Sequence, residues 1–199
     1  MTRGLVPRDG IPMPMIEGEK LPTLTSPRVA LRWLEDSDAP ALFELFSDRE
    51  VMRYWSSLPW TDRAEGVELV ERIRRCFAEG SLYQWGVADL CDDAIIGTCT
   101  LANVDAQNRR AEIGFILRRD RWGQGYMSEA TSTLLRFAFE ELGLHRVEAD
   151  VDPRNEASIR LLERLGFQRE GYLRERWHVG EEINDTIFYG LLRREWPAT

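Results

Sequence analysis

The residues with the strongest chemical implication form one run, Arg118-Arg119-Asp120-Arg121-Trp122-Gly123-Gln124-Gly125-Tyr126-Met127-Ser128-Glu129-Ala130. It follows a strand-like segment, Ala111 to Leu117, and opens an amphipathic helical pattern. Two glycines one residue apart at such a junction let backbone amides approach an anion closely. The first-turn N–H groups of the helix then point at that anion, with the helix dipole behind them. No Gly-Lys-Ser/Thr ending follows, so the run is not a P-loop, and Ser128 stands where a dinucleotide fingerprint needs its third glycine. The preceding strands also read as antiparallel, against a dinucleotide-binding fold. What remains is an anion cradle from Trp122 to Tyr126, suited to a pyrophosphate.

A second run, Asp152-Pro153-Arg154-Asn155-Glu156-Ala157-Ser158, leads through Leu161-Leu162 to Leu165-Gly166-Phe167. Asp152 or Asn155 can cap a helix in which Ser158, Leu161, Leu162 and Leu165 share one face. A hydroxyl on an apolar face costs free energy unless it is bonded. Ser158 therefore bonds the backbone one turn back, completes the cap, or meets a ligand. Arg160 and Arg164 project from the same helix, towards a phosphate or towards solvent. His145 and His178 have no cysteine or carboxylate cluster at ligand spacing, so no metal is expected.

These runs need elements to position them. Residues 1–27 hold five of the nine prolines and read as a proline-rich arm, with one domain over 28–199. Within the arm, Leu5-Val6-Pro7-Arg8 matches a protease-site tag remnant or arises by chance. Arg28 to Leu34 alternates as a strand. Asp36 or Ser37 caps a helix with Ala39, Leu42, Phe43 and Phe46 on one face; Thr61-Asp62 opens another with the stripe Val67, Val70, Ile73 and Phe77. Tyr83 to Ala88 and Ile95 to Val104 are strands about a turn at Cys91-Asp92-Asp93. After the glycine loop, Met127, Ala130, Leu134, Phe137 and Ala138 give a buried helical stripe that stops near Gly143. A strand follows at Val147, Ala149 and Val151, and strands at about Phe167 to His178 and Ile183 to Leu191 close the chain. Antiparallel strands mixed with helical crossovers predict a three-layer α/β/α domain around a mixed, largely antiparallel sheet.

Composition bounds the function classes. At 199 residues the chain holds one well-buried core, and 43% hydrophobic with 30% charged residues is ordinary for a soluble domain. No apolar run approaches a membrane span, and no membrane partner is expected. Three cysteines, Cys76, Cys91 and Cys99, lack metal spacing and suit reduced thiols in the cytoplasm. A net charge of -8 argues against nucleic acid and suits a cationic substrate, though mild acidity also serves solubility. Trp55, Trp60, Trp85 and Trp177 shape an acceptor pocket or belong to core and rim.

With both runs in view, the chain resembles the GNAT superfamily of acyl-CoA-dependent N-acyltransferases, and within it the RimJ/RimL-type branch that acetylates ribosomal-protein N-termini. The superfamily's phosphate motif is Gln/Arg-x-x-Gly-x-Gly/Ala; here Asp120 takes the first position, as in that branch, before aromatic-Gly-x-Gly-Tyr. Arg28-Val29-Ala30-Leu31-Arg32 and the segment Phe46 to Trp55 also look like the branch, and the resemblance runs from about Leu21 to Leu192. It implies acetyl-CoA as cosubstrate, with Trp122, Gly123, Gln124, Gly125, Tyr126 and Met127 around the pyrophosphate and Asn155 on the pantetheine arm. The pattern Asn-x-x-Ala-x-x-Leu-Tyr places relatives' thiolate-protonating tyrosine at Leu162, which has no proton to give, so Ser158 is the substitute candidate. Glu112 sits where histone-acetylating members carry their catalytic glutamate; its other reading is a bond to a neighbouring strand residue or Arg110. Phe115, Ile116 and Leu117 would offer a backbone amide to the developing charge on the carbonyl oxygen. The implied reaction is direct attack of a primary amine on acetyl-CoA in a ternary complex, since no cysteine lies beside either run. A protein N-terminus is the leading acceptor. A small cationic amine (aminoglycoside, polyamine or amino acid) and a non-catalytic acyl-CoA sensor are the alternatives, and a homodimer is compatible with the branch.

Overall fold

The computed structural model of the protein describes Ile16 and residues 18–197; the Leu5-Val6-Pro7-Arg8 run lies outside these. The described chain begins with two short strands, β1 (Leu24–Thr25) and β2 (Val29–Arg32), followed by helices α1 (Ala39–Ser47) and α2 (Ala64–Ala78). A meander of β3 (Leu82–Asp89), β4 (Ile95–Asp105) and β5 (Arg110–Leu117) leads into α3 (Tyr126–Arg136). β6 (Arg146–Val151), α4 (Glu156–Arg164), β7 (Gln168–Val179) and β8 (Glu182–Leu192) complete it. The order matches the reading from sequence, with one addition: β1 lies inside the segment read as an arm. Leu21 is buried there, and Trp85 Nε1 donates to the Pro22 carbonyl at 2.9 Å, so the last arm residues are part of the packed domain.

The strands make one sheet in the order β1-β2-β3-β4-β5-β6-β8-β7, antiparallel throughout except for β5 with β6. Helices pack against it to give the expected mixed-sheet α/β architecture, with α3 lying over β1, β2, β4 and β5. The parallel pairing is short. Arg110, Ala111 and Glu112 face Arg146, Val147 and Glu148, and beyond that register the two strands part. β5 remains paired to β4 as far as Leu117↔Gly97, and β6 to β8 as far as Val151↔Ile187. A wedge therefore opens in the middle of the sheet, with its mouth at the C-terminal ends of both strands.

Local chemistry accounts for the helix starts. Asp62 Oδ1 accepts the Ala64 amide at 2.9 Å, and Glu65 Oε1 accepts the amides of Thr61 and Asp62, which caps α2 where the sequence placed the cap. The expected α2 stripe needs one correction. Val67 is 45% exposed, and Leu69 is buried in its place beside Val70 and Ile73. The face is rotated because α2 meets α1 at Gly66, where a β-carbon would lie 2.4 Å from the Ala39 carbonyl oxygen. Met127, Ala130, Leu134, Phe137 and Ala138 are all buried, as their spacing predicted. Trp85 is fully buried and edge-on to Phe137, so it belongs to the core and not to a pocket.

Candidate active site

The glycine loop joins the parted end of β5 to α3, and its conformation depends on both glycines: φ is +71° at Gly123 and +84° at Gly125. Around them the backbone N–H groups from Gly123 to Ser128 make no hydrogen bond within the described residues. Six consecutive unused donors at the start of a helix are the geometry that the anion cradle expected from the sequence requires. Trp122 is anchored beside them, donating from Nε1 to the Leu117 carbonyl at 2.7 Å. Arg121 adds a positive charge; one of its terminal nitrogens pairs with Asp89 at 3.2 Å, while its buried Nε lies 3.9 Å from Asp120 Oδ2 and makes no hydrogen bond among the described residues.

A cleft of about 910 Å³ runs from this cradle into the wedge between β5 and β6. It is lined by Phe115, Ile116 and Leu117, by every residue from Trp122 to Met127, and by Asn155 and Ser158. All the expected cofactor-contacting residues are thus gathered along one wall system from two separate parts of the sequence. Arg160 and Arg164 also line the cleft. Arg160 pairs with Glu156 at 2.8 Å and Arg164 Nε donates to the Arg160 carbonyl, so both reach the cleft with part of their donor capacity engaged.

Asn155 is the N-cap of α4, its side-chain oxygen accepting the Ser158 amide at 3.2 Å. That cap leaves the Asn155 amide nitrogen available to a ligand. The Ser158 amide completes that cap, while its Oγ makes no hydrogen bond within the described residues and the residue lines the cleft. Leu162, at the place of the superfamily's tyrosine, is fully buried in the core.

The structure separates Glu112 from the cleft. Its carboxylate is half-buried beside the wedge, is not among the lining groups, and accepts from Asn103 Nδ2 at 3.0 Å. Burial pushes its pKa above the ordinary glutamate range, with Asp150 and Glu148 adding to the rise while Asn103 opposes it. Arg110, the other partner considered, instead pairs with Glu148 at 3.0 Å and Asp105 at 3.4 Å.

Asp150, which the sequence reading does not single out, lines the cleft where β5 and β6 part. Trp177 Nε1 donates to both of its oxygens at 3.1 Å, and the Thr186 hydroxyl donates to it as well. A signal was present, since residues two apart on β6 share a face and Glu148 and Asp150 alternate with the apolar Val147, Ala149 and Val151. Of the tryptophans considered, Trp55 lines the cleft, Trp177 holds Asp150, and Trp60 stacks on Phe46. His145 and His178 are both exposed, and among the described residues no three His, Cys, Asp or Glu side chains converge as a metal site would.

Cys99, distant from the glycine run in sequence, lies in space against it, with Sγ 3.6 Å from Met127 Sδ. Burial pushes this thiol up to about 12, so it stays protonated and is no nucleophile.

The family model described as the acetyltransferase (GNAT) domain matches residues 28–168. The uncharacterized N-acetyltransferase p20 of Bacillus licheniformis is 38% identical over 176 residues, which is 88% of this chain and 99% of that protein. The [ribosomal protein uS5]-alanine N-acetyltransferase of Escherichia coli is 26% identical over 87% of this chain and 92% of its own length. Among solved structures, a spermidine N-acetyltransferase from Vibrio cholerae, in complex with CoA and spermine, superposes with a TM-score of 0.76. It is 25% identical over 85% of this chain and 98% of its own.

Proposed function

The chain belongs to the GNAT family and is an acetyl-CoA-dependent N-acetyltransferase, and from that premise we propose that its acceptor is the N-terminal amine of a protein. Bound acetyl-CoA supplies the activated acetyl group. The free amides from Gly123 to Ser128, with Arg121 beside them, fit a pyrophosphate, and we assign them that task. Asn155 Nδ2 and the open edge of β5 from Phe115 to Leu117 are assigned to the pantetheine arm and the thioester carbonyl.

Asp150 is assigned to the amine. An acceptor ammonium placed in the wedge meets a carboxylate already oriented by Trp177 and Thr186, and must lose a proton before its nitrogen attacks the thioester carbon. Glu112, with its raised pKa, stands one strand away as the group that takes up that proton through water. As the C–N bond forms and the C–S bond breaks, the departing sulfur needs a proton in return. Ser158 is the hydroxyl we assign to that position, passing the sulfur a proton while taking one from water, so that no serine alkoxide is left. No cysteine is required, consistent with direct attack in a ternary complex.

The observation that carries the N-terminus reading is the apolar rim around Asp150. Leu173 pairs with Thr186 across the β7–β8 hairpin and so faces the side on which Thr186 holds Asp150. It is 43% exposed, and Trp177 is 37% exposed. Asp150 bordered by these exposed apolar side chains suits an amine attached to a peptide chain. The uS5-alanine acetyltransferase among its relatives supports the same acceptor class. A polyamine is the second reading, favoured by the carboxylates of Glu112 and Glu148 that stand near Asp150 and by the spermidine N-acetyltransferase neighbour. The test is acetyl-CoA-dependent thiol release with peptides beginning Ala, Ser or Met, and with lysine, spermidine and an aminoglycoside. Release confined to the peptides supports the proposal; release with spermidine alone overturns it. The reduced cysteines suit a cytoplasmic setting for such a substrate, and we place the enzyme there.

A further inference from the structure

Arg28, on the turn into β2, reaches the glycine loop in three ways. Its Nε meets Glu129 Oε2 at 2.8 Å, one terminal nitrogen donates to the Gln124 carbonyl at 3.0 Å, and its guanidinium lies 4.5 Å above the Tyr126 ring. Glu129 completes the junction by accepting the Arg28 amide at 2.7 Å and the Ser26 hydroxyl at 2.8 Å. These contacts bridge about a hundred residues of sequence. They are made by a side chain 46% exposed, so they do not serve to build the core.

We propose that Arg28 and Glu129 are a positioning pair that orients the amides of the glycine loop for the cofactor's pyrophosphate; this rests on the assignment of that loop to the pyrophosphate made above. Two physical arguments carry it. The Gln124 carbonyl and the Gly125 N–H belong to one planar trans peptide and point in opposite directions. A guanidinium that holds the carbonyl on the β2 side therefore turns the Gly125 N–H away from β2. The left-handed φ of Gly125 permits that orientation, and a β-carbon there would lie 3.3 Å from the Arg28 guanidinium. The second argument is charge. Glu129 sits in the first turn of α3, where its carboxylate competes with a bound pyrophosphate for the same helix dipole. Pairing with Arg28 neutralises it and holds its pKa below the ordinary glutamate range, against the opposing effect of burial. The pair thus allows an acid close to an anion site without repelling the anion.

The experiment compares two acyl donors, acetyl-CoA and S-acetyl-pantetheine, which lacks the pyrophosphate. Arg28→Ala is expected to raise KM for acetyl-CoA about tenfold relative to KM for S-acetyl-pantetheine, the scale of a lost charge-assisted hydrogen bond. Glu129→Gln combined with Arg28→Ala should recover part of that rise, because it removes the carboxylate left unpaired beside the anion site. A folded Arg28→Ala protein whose two KM values are unchanged, or rise by the same factor, overturns the pair's role. If the unsubstituted enzyme already shows equal KM for the two donors, the loop does not hold a pyrophosphate. The site assignment and the pair then fall together, a result read without any variant.

Discussion

Asn155 Oδ1 accepts the Ser158 amide at 3.2 Å, so the residue expected to reach the cofactor's arm is also the cap of the helix that carries Ser158. Two roles on one side chain can be separated chemically. Asn155→Ala removes both: it should cost about 1 kcal/mol of stability and weaken acetyl-CoA binding. Asn155→Asp keeps the capping oxygen and loses the amide donor, so it should keep the parent's Tm while still binding acetyl-CoA more weakly. Calorimetric titration beside thermal melting checks this; full affinity in Asn155→Asp would confine Asn155 to capping.

Asp150→Asn should lower kcat/KM for the amine by about thirtyfold, near ~2 kcal/mol, because the ammonium loses its ionic partner. Acetyl-CoA affinity measured without acceptor should hold, since the substitution keeps the shape and leaves the cradle amides untouched. Steady-state kinetics with the two substrates varied separately checks this.

Glu112 is raised above the ordinary carboxylate range, first by burial. If it takes the amine's proton, kcat/KM falls as pH drops through that raised value, and Glu112→Gln removes this acid limb along with most of the rate. Stability runs the other way. A carboxyl that holds its proton more tightly when folded makes folding less favourable once pH exceeds its unfolded pKa. Glu112→Gln should therefore melt higher than the parent at neutral pH, with the difference vanishing below the ordinary glutamate range. A pH series of melting curves reads it.

Gly66→Ala would place a β-carbon 2.4 Å from the Ala39 carbonyl oxygen, backbone that cannot move without shifting α1. A loss of about 1–3 kcal/mol is expected from this overpacking, despite alanine's better helix propensity. Denaturant titration measures it, and a variant as stable as the parent would show that α1 and α2 can separate freely.

Much of this protein was legible before its structure. The stripe Met127, Ala130, Leu134, Phe137 and Ala138 is buried as its spacing required, and Asn155 caps α4 as its type required. The glycine loop announced its cradle because an anion site built from backbone amides depends on φ values that few residues but glycine adopt. Val67 was misplaced because propensity and period say nothing about where a neighbouring helix makes its closest approach. Leu21 to Thr25 were assigned to an arm because a two-residue strand leaves too short a pattern to read.

The amino-acid order by itself made the helices, the strands and the glycine loop legible, since each depends mainly on residues close in sequence. Only the tertiary structure placed Asp150, and not Glu112, along the cleft. Glu112 and Asp150 lie on neighbouring strands, and their order along the chain does not reveal where the pairing of β5 and β6 stops. That point is a pairing register between two strands separated in sequence by the glycine loop and α3. It leaves Glu112 bonded to Asn103 beside the opening and Asp150 held within it by Trp177 and Thr186.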